Sequence, residues 1–482
     1  MKYIALCKDA FYRNFEEIGY LYNQNTKNEI VLDLIGSIFV SKIQREPVLI
    51  RDITQQLCAI FPNVTKDILK SDFINFALPL ENSGFVIFGD SIEEVLQKIC
   101  LQSNAQNLEN NTDTTVDPQV LLRKHFIKHS KPFYVHIELT SACNLNCVHC
   151  YWPNHFTRHI PKDKLFNILD QLSDMGSLHL SFSGGESLLH PNFIEIVRYA
   201  RKLDFSVTIM TNGTLLSKKL IYELRQLAVA EIQVSLYSMD ASVHDAITKR
   251  VGSFEKTKKN IKTLLDSGCH VKIACPVTKI NASTFSSVAE YYSPQGVSVG
   301  NDLYIVAKTD FSKDNLKHRL DICEIDQVVS ILVKQNATSK VIHKDNGADN
   351  KLSDEPICGA AVELLCLSAN GNLSPCPSFE YIFGNAFTQS VSDIWNNSQK
   401  AIKIRNLTRS KYTKCVNCDA VDYCSICPAR FFNESGGDYL TPCDYFCEIS
   451  KRLKYASEMA NVNHPSETQI KVRRDSFQID TY

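Results

Sequence analysis

The 482-residue sequence lacks long hydrophobic runs, and none approaches the roughly 18 residues of a membrane-spanning helix. The N-terminus also lacks the basic-then-apolar order of a secretory signal, because Met1-Lys-Tyr-Ile-Ala-Leu6 is soon followed by Lys8, Asp9 and Arg13. An excess of one charge is equally absent, with 52 Lys and Arg against 53 Asp and Glu. We therefore expect a cytoplasmic protein whose main partner is neither a nucleic acid nor a membrane.

Cysteine, in contrast, is abundant, with 18 residues. In a cytosolic chain this number indicates metal or redox chemistry rather than a disulfide framework. Three of the cysteines, Cys143, Cys147 and Cys150, follow the strand-like run Phe133–Leu139 within eight residues. Such a loop can hold three irons of a 4Fe–4S cluster and leave the fourth open, whereas a structural zinc site needs a second pair of ligands nearby.

The length predicts two or three domains. In residues 1–102 a hairpin signal at Tyr20–Leu32, helical spacing between residues 34 and 76, and a strand at Gly84–Phe88 predict a winged-helix-like α+β module. The same pattern is compatible with a nucleic-acid-binding winged helix and with a structural cap. Residues 103–125, rich in Asn, Gln, Thr and Asp in their first part, indicate a linker.

Between residues 126 and 310 strand-like and helical segments alternate in about six β/α units. This order predicts a parallel sheet with right-handed crossovers, closed into a partial (βα)6 TIM-like barrel with its active site at the C-terminal strand ends. Polar or glycine-containing segments follow three of these strands. They contain Gly184, Gly185 and Glu186, then Thr211 and Asn212, then Ser235 and Ser238. Each segment by itself is also compatible with ordinary capping or turn chemistry.

Nine cysteines lie in the stretch from Cys358 to Cys447. Residues 311–350 give little signal and are interpreted as a bridge, residues 351–460 as a Cys-rich domain, and residues 461–482 as a flexible polar tail. Cys358-x12-Gly371-x4-Cys376 predicts a hairpin with its turn at Asn370-Gly371. The other late cysteines are Cys366, Cys415, Cys418, Cys424, Cys427, Cys443 and Cys447. Four close thiols would suit one zinc ion, but nine exceed one tetrahedral site and suffice for two four-iron clusters.

The C-x3-C-x2-C loop resembles the signature of radical S-adenosylmethionine (SAM) enzymes, although His149 stands where an aromatic residue is common. The late cysteines resemble the SPASM extension, which carries two auxiliary 4Fe–4S clusters. Cys427 departs from that pattern, because it follows Cys424 after two residues where three are usual. The N-terminal module resembles the peptide-recognition (RRE-like) domains of enzymes that modify ribosomally made peptides, which bind a leader peptide by strand addition.

The resemblance implies roles for these residues. Cys143, Cys147 and Cys150 would hold the radical SAM cluster, whose open iron chelates SAM. Gly184, Gly185 and Glu186 would meet the methionine amino group, and the segments with Thr211, Asn212, Ser235 and Ser238 would contact the cofactor. One auxiliary cluster would take Cys358, Cys376 and Cys427, with Cys366 as a candidate fourth ligand. The other would take Cys415, Cys418, Cys424 and either Cys443 or Cys447.

The implied activity is maturation of a ribosomal precursor peptide, bound through its leader, by a 5′-deoxyadenosyl radical. Three 4Fe–4S clusters, SAM and an external flavodoxin- or ferredoxin-like electron donor would be required. The product would be a thioether, carbon–carbon or carbon–oxygen cross-link. A protein or cofactor maturase and a non-catalytic metal-binding peptide scaffold are the alternatives. Oxidation of the sulfatase-maturation kind is disfavoured, because those enzymes carry an aspartate where this chain has Pro377.

Overall fold

The computed structural model describes residues 1–16, 18–102, 118–153, 155–338 and 356–462. Along these ranges the chain forms an N-terminal module, a parallel α/β sheet and a helical C-terminal region that is joined to that sheet. None of the helices in the described ranges combines the length and the apolar character needed to span a bilayer.

Two small antiparallel sheets and four helices make up the module. Its strands are β1 Tyr3–Leu6, β2 Ala10–Phe15, β3 Ile18–Asn23, β4 Glu29–Leu32, β5 Val48–Leu49 and β6 Val86–Gly89. Its helices are α1 Leu34–Val40, α2 Ile50–Ile60, α3 Lys66–Asn82 and α4 Ile92–Gln102. The predicted hairpin is confirmed as β3 and β4, and the predicted final strand as β6. The two belong to different sheets, however, because β6 pairs with β1 while the hairpin extends β2.

The expected linker ends earlier than the sequence suggests. Residues 103–117 lie outside the described ranges, but Pro118–Lys128 form helix α5. Leu122 and Phe126 of this helix are fully buried. Residues 118–125 are therefore part of the packed structure, because the apolar side chains of this helix find partners in both neighbouring regions.

Six parallel strands form the sheet that carries the cysteine loop. They are β7 Tyr134–Thr140, β8 His179–Gly184, β9 Ser206–Thr211, β10 Glu231–Ser235, β11 Val271–Ala274 and β12 Ser298–Gly300. The helices between them are α6 Lys162–Asp174, α7 Phe193–Lys202, α8 Lys218–Gln226, α9 Ala241–Thr248, α10 Ser253–Asp266 and α11 Ser286–Tyr292. The strands pair in chain order, which confirms the predicted partial barrel. The last strand is only three residues long, and residues 301–307 continue without strand pairing.

The Cys-rich region is not separate from this sheet. Its strands are β13 Leu364–Leu367, β14 Asn372–Ser374 and β15 Gly384–Asn385, and β13 pairs in parallel with β7. The predicted hairpin is thus present as β13 and β14, and it extends the barrel sheet to nine strands. The helices of this part and of the bridge before it are α12 Ile322–Thr338, α13 Val391–Asn397, α14 Gln399–Arg405, α15 Thr413–Val416, α16 Pro428–Ser435 and α17 Asp444–Val462. The tail predicted for residues 461–482 lies almost wholly outside the described residues.

An aromatic cluster joins the module to the barrel. Phe15 of β2 packs edge-on against Phe126 of α5 at 5.1 Å, and Phe126 in turn contacts Phe133 at 4.5 Å. Phe133 immediately precedes β7, so the module lies at the N-terminal ends of the barrel strands. The cysteine loop lies at the opposite end of β7, roughly 20 Å away for a seven-residue strand.

Candidate active site and cysteine clusters

The loop that follows β7 is packed directly against the loop that follows β8. Gly185 N donates to Thr140 O at 2.8 Å, and Glu186 N donates to Ala142 O at 2.8 Å. A Cβ atom at Gly184 would lie 2.1 Å from Thr140 O, and one at Gly185 would lie 2.4 Å from Ala142 O. Only glycine fits this approach, since such distances are far below van der Waals contact. The two glycines therefore fix the position from which the cysteine loop starts.

Glu186 connects the ends of two strands. Its Oε1 accepts from Thr211 Oγ1 at 2.6 Å and from Leu188 N at 3.2 Å, and its Oε2 accepts from Asn212 N at 2.7 Å. Burial raises the pKa of this carboxyl, and the three hydrogen bonds oppose the rise. The carboxylate thus holds the β8 and β9 loops together, and both of its oxygens already have protein partners.

A chain of amides extends this network into the cysteine loop. Asn212 Nδ2 donates to Asn144 Oδ1 at 2.9 Å, and Asn144 Nδ2 donates to Thr214 Oγ1 at 2.8 Å. Asn144 lies between Cys143 and Cys147 in the sequence. The β9 loop therefore orients the cysteine loop through a residue that the sequence did not single out.

The β10 end contributes a tyrosine beside the trio. Tyr237 is buried, and its hydroxyl lies 3.9 Å from Cys147 Sγ, a weak contact of the kind that sulfur accepts. Ser235 is partly buried at the strand end. Ser238 is fully buried, and its hydroxyl donates to Thr284 Oγ1 at 3.0 Å and accepts from Asp240 N at 3.0 Å. Ser238 therefore shapes the loop from within.

The three thiols of the trio share one environment. Burial is the main cause that raises the pKa of Cys143 to about 12, and the negative charges of Glu186 and Cys150 add to it. Burial raises the pKa of Cys147 further, followed by the charges of Cys150 and Cys143. Without a metal these groups would be neutral thiols at physiological pH. A bound iron centre supplies the positive charge that turns such thiols into thiolates, so the site fits an iron–sulfur cluster.

A second set of thiols lies across the β7–β13 junction. Burial and then the Cys427 charge raise the pKa of Cys358 to about 12, and burial, Cys427 and Cys358 raise that of Cys376. These three cysteines therefore face one another. Cys366 is buried in β13, where burial, then Glu138 and then Cys376 raise its pKa. It lies at the edge of this set, towards the barrel.

The third set gathers around α15 and the start of α17. Burial, then the charges of Cys424, Cys447 and Cys418, raise the pKa of Cys415 to about 11. The charge of Cys447 therefore acts on this set, whereas Cys443 is not among the main charges that act on Cys415, Cys424 or Cys447. Among the described residues no three His, Cys, Asp or Glu side chains are close enough for one metal ion. A four-iron cluster spreads its thiolates more widely than a single ion, so the three sets suit clusters rather than zinc.

A small pocket lies at the junction of β7 and β13. Glu138 of β7, Trp152, Cys366 and Glu380 are among its lining residues. Glu138 is 2% exposed, and its Oε1 has no hydrogen-bond partner among the described residues. Burial, then the Glu380 charge, raises the pKa of Glu138 to about 8. Glu138 was not among the residues predicted from the sequence, although an acidic side chain inside a largely apolar strand is a signal that could have found it.

Two family profiles match this chain. The Radical SAM superfamily profile matches residues 137–291, and the SPASM profile, an iron–sulfur cluster-binding domain, matches residues 358–419. The chain contains a radical SAM domain and a SPASM domain. Its radical SAM domain binds SAM and a 4Fe–4S cluster, and its SPASM domain binds auxiliary iron–sulfur clusters, as predicted.

The names of the relatives of this radical SAM enzyme refer to different reactions. An AdoMet-dependent heme synthase of Methanosarcina barkeri (strain Fusaro / DSM 804) is 26% identical over 63% of this chain and 93% of the relative. The antilisterial bacteriocin subtilosin biosynthesis protein AlbA of Bacillus subtilis (strain 168) is 29% identical over 63% of this chain and 69% of AlbA. Streptococcus suis SuiB bound to precursor peptide SuiA has a similar fold, with a TM-score of 0.58 and 18% identity over 92% of this chain and 99% of SuiB.

Proposed function

We propose that this radical SAM enzyme is a maturase that forms a cross-link in a ribosomal precursor peptide. The observation that carries the proposal is the pairing of β13 with β7. This pairing places the strand that leads to the cysteine trio beside the strand that carries Cys366, and Glu138 and Cys366 of these two strands line one small pocket. A substrate residue near this junction would lie between a group that starts radical chemistry and a group that can accept the electron released when a bond forms.

The trio would hold the radical SAM cluster through Cys143, Cys147 and Cys150. An external flavodoxin- or ferredoxin-like donor would reduce that cluster, which would then cleave SAM to methionine and a 5′-deoxyadenosyl radical that removes a substrate hydrogen. The segments at Gly184, Gly185, Thr211, Asn212 and Ser235 would line the SAM site. Glu186 and Ser238 would act by holding those segments in place, because their side-chain oxygens already bond to neighbouring residues.

For the auxiliary clusters we propose two ligand sets. Cys358, Cys376 and Cys427 would hold the first, with Cys366 at its edge as the candidate fourth ligand. Cys415, Cys418, Cys424 and Cys447 would hold the second. The mutual charge effects within each set support this division.

The peptide as substrate is supported by two relatives. AlbA is named for the biosynthesis of a bacteriocin, and SuiB was solved with its precursor peptide. The likeness to SuiB spans 92% of this chain, and the remainder is much shorter than the N-terminal module, so the likeness includes most of that module. We propose that the module binds the leader of the precursor. The product would be a thioether, carbon–carbon or carbon–oxygen cross-link.

The second candidate is a protein or cofactor maturase. The heme synthase favours it, since that relative is covered over 93% of its length. The N-terminal module would then be accessory to the reaction.

Anaerobic turnover with SAM and dithionite tests the proposal. We expect the wild-type protein to hold about twelve irons and to form deoxyadenosine. Short peptides encoded beside this gene should emerge lighter by two hydrogens when one of them is the substrate. The variant with Cys143, Cys147 and Cys150 all replaced by Ala should form no deoxyadenosine and keep about eight irons. A mass change in a tetrapyrrole rather than in any peptide would favour the second candidate, and colourless zinc-only protein would refute both.

A further inference from the structure

Arg430 occupies a position between the two proposed auxiliary sites. It lies in the first turn of α16, three residues after Cys427, which precedes the helix. Its Nη1 donates to Ser425 Oγ at 3.3 Å. Ser425 belongs to the Cys424-Ser-Ile-Cys427 segment, the shortest covalent link between the second and third cysteine sets. The guanidinium is therefore attached to the segment that carries one cysteine of each set.

Aromatic rings hold the guanidinium in place. The Arg430 Cζ atom lies 3.5 Å from the centroid of the Tyr304 ring and 5.7 Å from that of Phe446. Tyr304 belongs to the 301–307 segment after β12, and Phe446 directly precedes Cys447. A planar guanidinium stacks on such rings, and the contact is stronger away from water. Arg430 of α16 thus contacts the barrel through Tyr304 and α17 through Phe446.

The charge of this cation is retained in its surroundings. Burial opposes the charged form, but the negative charges of Cys427, Tyr304, Asp302 and Cys424 raise the pKa of Arg430 overall. A guanidinium is protonated at any physiological pH in any case. The cation is consequently a constant feature of the junction, not a switch.

We propose that Arg430 is a positioning residue that supplies one shared positive charge to both auxiliary clusters and raises their reduction potentials. Reduction adds one negative charge to a cluster, and a nearby cation that is held against aromatic rings stabilises that reduced form. The effect would make both clusters better acceptors of the electron released during cross-linking. The inference rests on the auxiliary ligand sets given under the proposed function.

Potentiometric titration followed by electron paramagnetic resonance tests this proposal on the full-length, anaerobically reconstituted holoprotein without peptide. In Arg430→Gln we expect both auxiliary clusters to become at least tenfold harder to reduce, equal to a drop of about 59 mV for a one-electron couple. The radical SAM cluster should keep its potential. Arg430→Lys should keep the auxiliary potentials close to wild type, because the charge remains. Arg198→Gln, which removes an exposed arginine of α7, is the matched control and should change nothing.

Unchanged auxiliary potentials in Arg430→Gln at full iron and sulfide content would overturn the proposal. If Arg430→Gln loses iron, the Arg430→Lys variant provides the test. Auxiliary potentials equal to wild type in Arg430→Lys would support the role of the positive charge. Lowered auxiliary potentials at full iron content would overturn the proposal. A wild-type protein with only about four irons would refute the auxiliary ligand sets, and this inference with them. Because no peptide is added, an error in the substrate class leaves every one of these outcomes unchanged.

Discussion

At the scale of single residues, the site is defined by close contacts between neighbouring loops. Gly184 and Gly185 bring the β8 loop onto Thr140 and Ala142, and Asn212 reaches Asn144 inside the cysteine loop. Each contact joins a loop of one strand to the cysteine loop of another. The cluster ligands are therefore placed by neighbours outside their own segment.

Gly185→Ala should displace the cysteine loop. The added methyl would lie 2.4 Å from Ala142 O and 2.9 Å from Cys143 Cβ, and neither can move without carrying the first ligand with it. We expect the loss of about four irons and of deoxyadenosine formation, measured by iron analysis and chromatography. Gly296→Ala, outside the loop contacts, is the control for strain alone: its φ of +78° disfavours alanine, but nothing lies within 4 Å of the added methyl, so the iron content should stay full. Full iron content in Gly185→Ala would contradict the packing argument.

A second prediction at the scale of single residues concerns the pH dependence of stability at His179. Burial, and then the Lys27 charge, lowers its pKa to about 4, and its ring stacks on Tyr134 at 4.9 Å. Between pH 6.5 and about 4 the unfolded chain therefore binds a proton that the folded chain excludes. Stability should fall as pH decreases through this window, by up to about 3 kcal/mol from this group.

The melting temperature at pH 5.5 and 7.5 checks this prediction. His179→Phe should lose less stability on acidification than the wild type, since a phenyl ring keeps the packing and does not titrate. Equal losses in the two proteins would show that His179 is not the group responsible.

At the scale of elements, the junction of β7 and β13 is the central feature. It places the Cys-rich hairpin beside the strand that leads to the trio, with Glu138 and Cys366 on its two strands. The start of α17 has the corresponding role for the third cysteine set. Cys443 lies just before this helix, and Cys447 lies one turn further along it.

Replacing Cys443 and Cys447 separately by Ser gives a matched pair. We expect Cys447→Ser to lose about four irons, because Cys447 faces Cys415, Cys418 and Cys424. Cys443→Ser should keep all of them, since Cys443 is not among the main charges that act on Cys415, Cys424 or Cys447. Iron and sulfide analysis of both variants is the measurement. The reverse result would move the ligand assignment to Cys443.

At the scale of the whole molecule, the N-terminal module and the site lie at opposite ends of the barrel. The aromatic contacts of Phe15, Phe126 and Phe133 attach the module to the N-terminal strand ends. A precursor held by the module would have to pass along the barrel for roughly the length of β7 to reach the trio. Deleting the module would also expose this aromatic surface, so point substitutions are the cleaner test of its role.

Phe15→Ala should loosen the module while leaving the site intact. Phe15 is 4% exposed, and removing a buried phenyl ring typically costs about 3–5 kcal/mol. We expect a separate, lower unfolding transition in calorimetry and unchanged deoxyadenosine formation without peptide. Leu34→Ala in α1 is the control, because Leu34 is 61% exposed. A single unshifted transition in Phe15→Ala would show that the interface contributes little stability.

Most of the fold could be predicted from the chain. Alternating helical and strand-like segments indicated the six parallel strands, because a buried parallel strand is apolar along its whole length. For the site, the sequence predicted which segments take part, but it did not predict the contacts between them. The structure shows that Ser238 and Glu186 bond to neighbouring residues, and that Tyr237 and Asn144 lie at the site without any local pattern to identify them.

The sequence by itself determined the identity of the chemistry. Cysteine spacing and a Gly-Gly-Glu loop after a strand are local features, and local features can be recognised from the order of residues along the chain. Tertiary structure alone decided which distant residues meet: β13 beside β7, Cys447 within electrostatic range of Cys415, and Arg430 beside the segment that carries Cys424 and Cys427. Those choices depend on how separate elements pack, and packing depends on side chains hundreds of residues apart that no spacing rule connects.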